Sequence, residues 1–277
     1  MEYAVLKVSC PDQWKDIMVA ELADAGFDTM EETDNGLDAY VEEGEKEKID
    51  VESVMERYSQ VEGLTYEWGI VENQNWNEEW EKNYDPVVIA EQCLVRADFH
   101  QIKEEYKYEV VINPRMSFGT GHHPTTWLMV AALLKLDLTG KTVLDAGCGT
   151  GVLSIISEQK GAIAIDAYDI SDWCVENTQE NSNLNNCTKI NVFQGTISDV
   201  PLQDDYDVII ANINKNVLTE EMDAYVRKMK KGSLLLLSGF FKDDGQDIIN
   251  SAQKSGLKVL QNAERDNWAC ISFCLEG

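Results

Sequence analysis

The chain has 277 residues, room for one large or two modest domains with a real core, and a formal charge of −27. No apolar run is long enough to cross a bilayer and no basic-then-apolar leader opens the chain, so the expected compartment is the cytoplasm. Seven cysteines without C-x-x-C spacing read as reduced thiols, and three histidines are too few and too scattered for a zinc site.

The charge is uneven. Residues 1–85 hold 24 Asp and Glu against 6 Lys and Arg, a net of −18. Such a surface repels phosphate backbones and attracts cations. It suits either a solvated face or a docking surface for a basic protein.

Tyr3 to Ser9 alternates apolar residues with Lys7, as a strand does. Pro11 opens a helix with Trp14, Ile17, Met18, Leu22 and Ala25 on one face, and Gly26 ends it. Phe27 to Thr33 and Leu37 to Glu42 form a hairpin across Asp34-Asn35-Gly36. Ile49, Val51, Val54, Met55 and Tyr58 mark a second helix, and Leu64 to Val71 a last strand. The order β-α-β-β-α-β predicts a small α+β ferredoxin-like domain over residues 1–72. With no nucleophile, metal cluster or glycine loop, its expected task is binding.

Trp76 and Trp80 lie four apart in a predicted helical linker over residues 73–85. Residues 86–277 form the predicted catalytic domain, entered by short strands at Val87 to Ala90, Cys93 to Ala97 and Tyr108 to Ile112. In Asn113 to Thr126, Gly119-Thr120-Gly121 makes a loop and Pro124 opens a helix running from Thr125 to Leu136. The hydroxyls of Thr125 and Thr126 either cap that helix or face a ligand. His122 and His123 are weak general-base candidates, because loop histidines are more often solvent-facing.

Lys141 to Asp169 organises the chain. An apolar strand from Lys141 to Ala146 meets the turn Gly147-Cys148-Gly149-Thr150-Gly151, a helix follows to Lys160, and a second strand ends on Asp169. Strand, glycine turn, helix and carboxylate-ended strand make half of a doubly wound nucleotide-binding sheet, whose ligands sit at the carboxyl ends of the strands. Gly147, Gly149 and Gly151 let a ligand approach the main chain, and Asp169 can accept hydrogen bonds from both ribose hydroxyls of an adenosine. A dinucleotide turn favours G-x-G-x-x-G, whereas position 152 here is Val. Asp145 would repel a pyrophosphate and welcome an ammonium. The pattern therefore favours S-adenosylmethionine over NAD.

Downstream, Asp207 to Ala211 is a buried parallel strand, so Asn212 emerges across the switch point from the glycine strand. Its amide oxygen can orient an amine, although asparagine at a strand end is as often a turn former, as Asn214 and Asn216 can be. Strands at Ile190 to Phe193, Ser233 to Gly239, Gly256 to Leu260 and Trp268 to Leu275, with helices at Leu218 to Met229 and Asp247 to Lys254, complete the sheet.

VLDAGCGTG with Asp169 resembles the class I S-adenosylmethionine-dependent methyltransferases. WNEEWEKNYDP, FGTGHHPTT, LDAGCGTG and ANI together resemble one family, the bacterial ribosomal protein L-eleven (L11) methyltransferases called PrmA. The resemblance implies a Rossmann-like seven-stranded α/β domain behind a substrate-recognition domain and a flexible linker. It further implies transfer of methyl groups from S-adenosylmethionine to lysine side chains and the terminal amine of large-subunit ribosomal protein L-eleven. The family's cofactor contacts match Thr126, Gly147, Asp169 and Asn212. The family commonly has ANILAGPL where this chain has ANINKNVL, so Lys215 and Asn216 replace small residues near the presumed acceptor. The implied partner is this basic protein, with no direct nucleic-acid binding and the enzyme a monomer. Rival readings are a methyltransferase for RNA or a small molecule, an NAD-linked oxidoreductase, and a silent cofactor-binding module that docks on ribosomal proteins.

Overall fold

The computed structural model describes residues 3–70, 84–114 and 117–276. The chain divides into two compact units, Met1–Asn83 and Tyr84–Gly277. The expected helix around Trp76 and Trp80 lies outside the described residues.

In the first unit, β1 (Tyr3–Ser9), α1 (Lys15–Ala25), β2 (Thr29–Thr33), β3 (Gly36–Glu42), α2 (Val51–Arg57) and β4 (Thr65–Ile70) follow in order. The sheet runs β2-β3-β1-β4, every neighbour antiparallel, which is the split βαβ arrangement. Alternate residues Ala4, Leu6 and Val8 of β1 and Leu37, Ala39 and Val41 of β3 turn to one face. There they meet Met18 and Leu22 of α1 and Val51, Val54 and Met55 of α2. Gly26 ends α1 in the left-handed conformation, φ 110°. Asp50 caps α2 by accepting from Ser53 N–H at 3.0 Å. Two expectations need correction. A 3-10 turn, Asp12–Trp14, delays α1 to Lys15, and Ile17 is 40% exposed because the i, i+4 pair Met18 and Leu22 makes the contact. Phe27 is buried but precedes β2.

The second unit opens with β5 (Val87–Ile89), β6 (Cys93–Ala97) and β7 (Tyr108–Ile112), which form a separate three-stranded sheet with β6 in the middle. Then come α3 (Pro124–Leu134), β8 (Thr142–Ala146), α4 (Val152–Gln159), β9 (Ala164–Asp169), α5 (Asp172–Leu184), β10 (Ile190–Gln194) and β11 (Tyr206–Asn212). After them follow α6 (Lys215–Arg227), β12 (Met229–Phe241), α7 (Gly245–Lys254), β13 (Leu257–Arg265) and β14 (Trp268–Leu275). The seven strands order as β10-β9-β8-β11-β12-β14-β13, parallel except that β14 runs against both neighbours. The order reverses between β8 and β11, which creates the crevice.

The unbroken apolar strands serve two cores. Val143, Ile165, Val208, Ile210 and Leu236 face α3 and α4, and that core also takes Ile89, Val95, Val110 and Ile112 from the smaller sheet. Leu144, Ala146, Ile209, Ala211, Leu235 and Leu237 face α6 and α7.

At the amino-terminal edge of the sheet, Asp207 binds Lys230 at 2.9 Å and Lys141 at 3.3 Å, and accepts from Thr142 N–H at 3.1 Å. Burial alone would raise its pKa, but these cations and this N–H outweigh it and hold the carboxyl at about 2. A depressed carboxyl stabilises the fold above its unfolded value and loses that contribution as pH falls through the folded value. Asp207→Ala should therefore cost about 2 kcal/mol at pH 7 and progressively less below about pH 4, read from urea denaturation at both pH values. An unchanged midpoint at pH 7 would refute that role.

Candidate active site

The glycine turn joins β8 to α4 at the carboxyl edge of the sheet. Gly147 N–H and Cys148 N–H both donate to Tyr168 O, at 2.9 and 3.0 Å, which draws the turn against the end of β9. Gly149 has φ 55°, and a Cβ there would strike Phe118 O; one at Gly147 (φ 73°) would strike Ile213 Cγ2. Both positions need glycine because neighbouring chain fills the space a side chain would take. Gly151, also at positive φ, is the N-cap of α4.

Asp169 ends β9, half-buried. Its Oδ2 accepts from Gly149 N–H at 3.1 Å and its Oδ1 from Ser171 N–H at 3.0 Å. A carboxylate has about four acceptor positions, so each oxygen keeps capacity for a ligand hydroxyl. Asp145, two residues before Gly147, is fully buried. Its Oδ2 accepts from Ser154 Oγ at 2.6 Å, while Oδ1 has no hydrogen-bond partner among the described residues. Burial lifts its pKa, the Ser154 hydroxyl opposes this, and the charge of Asp169 adds to it; the carboxyl rests at about 7.

Across the switch point, Asn212 is the last residue of β11. Its Nδ2 donates to Thr126 Oγ1 at 3.5 Å, and its buried Oδ1 has no described partner. Thr126 is fully buried at the start of α3. The structure thus brings Thr126 to Asn212, and Gly147, Gly149 and Gly151 to Asp145 and Asp169, on the carboxyl ends of β8, β9 and β11.

The histidines have structural duties. His123, not either threonine, is the N-cap of α3, its Nδ1 accepting from Thr125 N–H at 3.3 Å. Burial lowers its pKa. Its ring meets Phe118 at 5.0 Å and Trp268 at 4.6 Å, and Trp268 stacks on Phe241 at 4.2 Å. His122 Nε2 lies 2.8 Å from Asp85 O. Lys215 turns to Asp244 at 2.5 Å and Asp247 at 3.1 Å, at a cavity of about 220 Å³ lined in part by Asn214, Asn216, Phe241 and Trp268. This aromatic rim was not foreseen from the sequence, because its members come from three distant segments with no spacing signal. Thr150 was missed too: it is buried, its N–H donates to Phe118 O at 2.9 Å and its hydroxyl to Gly119 O at 2.8 Å.

The donor set suits S-adenosylmethionine. The carboxyl edge holds a buried Asp145 carboxylate oxygen and a buried Asn212 amide oxygen, both without a hydrogen-bond partner among the described residues, beside a glycine turn and a strand-end carboxylate. All are acceptors or neutral; a pyrophosphate would face two carboxylates. A seven-stranded sheet in this order, with that turn after β8 and an acid ending β9, defines the class I S-adenosylmethionine-dependent methyltransferases.

The family described as "Ribosomal protein L11 methyltransferase (PrmA)" matches residues 8–276. The chain is 41% identical over 269 residues to a ribosomal protein L11 methyltransferase of Bacteroides fragilis, covering 96% of each chain. It is 42% identical over 264 residues to that of Porphyromonas gingivalis, covering 93% of this chain and 90% of the relative. A solved ribosomal protein L11 methylase from Lactobacillus delbrueckii subsp. bulgaricus shares the fold, with TM-score 0.64 at 20% identity over 70% of this chain and 99% of that one. The chain belongs to the ribosomal protein L11 methyltransferase (PrmA) family, and its cofactor is S-adenosylmethionine. No helix among the described residues is long and apolar enough to cross a membrane.

Proposed function

We propose that this protein transfers methyl groups from S-adenosylmethionine to amino groups, lysine side chains and the terminal amine, of large-subunit ribosomal protein L11. The names of its relatives support the substrate, and the buried Asn212 Oδ1, without a partner among the described residues, carries the chemistry. Residues 86–277 are the catalytic domain and residues 1–72, the more acidic part, recognise the basic substrate, with residues 73–85 between them. The enzyme works as a monomer in the cytoplasm without binding nucleic acid directly.

S-adenosylmethionine, when bound, supplies an electrophilic methyl on a sulfonium. The turn Gly147–Gly151 would cradle its amino-acid end, Asp145 would face the ammonium, and Asp169 would accept from the ribose hydroxyls. Thr126 holds Asn212 by the amide nitrogen, leaving Oδ1 to accept an N–H of the incoming amine and aim the nitrogen lone pair. A free lysine, pKa about 10.4, is mostly protonated at pH 7, so it must first lose a proton to water. The nitrogen so oriented would take the methyl in line, leaving the C–S electron pair on sulfur, and the new ammonium would pass its proton to water. Positioning supplies most of the rate.

Because Asp145 titrates near pH 7, cofactor affinity should fall as pH drops from 8 to 6, as the carboxylate facing the ammonium is neutralised. Calorimetry should show up to about tenfold per pH unit below the midpoint. Asp145→Asn should bind weakly with a flat profile; a wild-type profile already flat over this range counts against the assignment.

Methyl-labelled S-adenosylmethionine incubated with extracted ribosomal proteins and RNA, followed by mass spectrometry, tests the reading. Label on lysine and terminal amines of L11 is expected. Label in RNA or in a small molecule, or none despite cofactor binding, points to the rival readings.

A further inference from the structure

Helix α5 buries a polar face. Asn177, Asn181 and Asn185 stand four residues apart, one above another, and the first two are fully buried. Strand β7 is an edge of its sheet, so the outward-facing main-chain groups of alternate residues need partners. The helix supplies them. Val111 N–H donates to Asn185 Oδ1 at 2.8 Å and Val111 O accepts from Asn185 Nδ2. Two residues on, Asn113 N–H donates to Asn181 Oδ1 at 2.7 Å and Asn113 O accepts from Asn177 Nδ2 at 3.1 Å. The repeat distances agree: four residues of helix rise about 6 Å, and two of strand about 6.6 Å. Three amides stand in for a missing strand.

The middle amide has a second attachment. Asn181 Nδ2 donates to Thr150 O at 2.8 Å, inside the glycine turn. Thr150 itself holds Phe118 O and Gly119 O, in the loop that continues from Asn113 towards Thr126. Asn181 therefore ties the root of that loop to the turn, and Asn185, bonded to Val111 of β7, does not.

We propose that Asn181 is a positioning residue for the methyl donor, holding the Asn113 end of the loop against the glycine turn so that the cleft is preformed. The proposal rests on the donor lying at Gly147–Gly151 and Asp169. With the bond to Thr150 O removed, loop and turn can separate, and the cofactor must order them as it binds.

Asn181→Leu and Asn185→Leu separate this from general support of β7, since Asn185→Leu removes two bonds to that strand, whereas Asn181→Leu removes one to its extension and one to Thr150 O. Calorimetry with S-adenosylmethionine should show Kd raised about tenfold in Asn181→Leu, what one buried hydrogen bond left unmade is worth. Its kcat at saturating donor should stay within about threefold, with the loss confined to KM for the donor. Asn185→Leu should bind within about twofold of wild type. Asn181→Ser, which cannot reach both partners but admits water, serves if the leucine variant does not fold. Wild-type affinity in Asn181→Leu or Asn181→Ser, or equal weakening in the Asn181 and Asn185 variants, overturns the proposal. If Asp169→Ala also binds normally, the donor site itself is misplaced; if only Asn181 proves silent, the positioning role alone fails.

Discussion

Asp169→Ala is expected to weaken S-adenosylmethionine binding by a factor of about several hundred. The carboxylate ends β9 with one oxygen on Gly149 N–H and the other on Ser171 N–H. It retains acceptor capacity for two ribose hydroxyls. Hydrogen bonds to a charged group contribute about 1.5–3 kcal/mol each, so losing two costs about 3–4 kcal/mol even with partial rehydration. Alanine also releases the Gly149 N–H, which ties the turn to the strand end, and the Ser171 N–H, which adds to the loss. Asp169→Asn keeps the shape and one acceptor oxygen, and should fall between wild type and alanine. Calorimetry on folded protein, checked by circular dichroism, decides this. Normal binding by Asp169→Ala would place the cofactor elsewhere.

Asn212→Ala should lower kcat about a hundredfold while cofactor affinity changes by no more than a few fold. Its amide is held on one side by Thr126, and the oxygen on the other side is buried with no described partner. A buried acceptor left unpaired costs about 1–3 kcal/mol, and an amine N–H that satisfies it recovers that energy at the reacting atom. Without it the nitrogen lone pair is free to swing, and a misplacement of about 1 Å can cost a hundredfold. Asn212→Asp keeps an acceptor but adds a negative charge, and should retain more activity than alanine. Single-turnover methylation with saturating donor separates the two steps. A normal single-turnover rate in Asn212→Ala would remove it from the acceptor site.

The β8–α4–β9 unit was legible in the sequence because its signals are local. An apolar strand, glycines at forced turns and a carboxylate ending the adjacent strand all fall within Lys141 to Asp169, and the structure places the turn and the carboxylate at the carboxyl edge. The same holds for the βαββαβ order of the first unit. Helix α5 was not legible, since its inward residues are Asn177, Thr178, Asn181 and Ser182 and show no apolar period. What that face serves lies far off in sequence: Asn113 and Val111 on a strand edge, and Thr150 in the turn. His122 and His123 drew attention as a pair of bases, yet one caps a helix and the other meets a main-chain carbonyl. Asn212 and Thr126, 86 residues apart, were each ambiguous alone, and only the sheet's winding brings the two side chains together. Strand β12 extends beyond SLLLLSG at both ends: Phe240 and Phe241 pair with β14, and Met229 pairs with Tyr206 of β11.

A crystal grown with S-adenosylmethionine is the most direct measurement. Its amino-acid end should lie on Gly147–Gly151 beside Asp145, its ribose on Asp169, and its methyl directed at Asn212 Oδ1 and the space an amine would enter. A donor bound at another edge of the sheet, or with its methyl turned away from Asn212, would contradict the account.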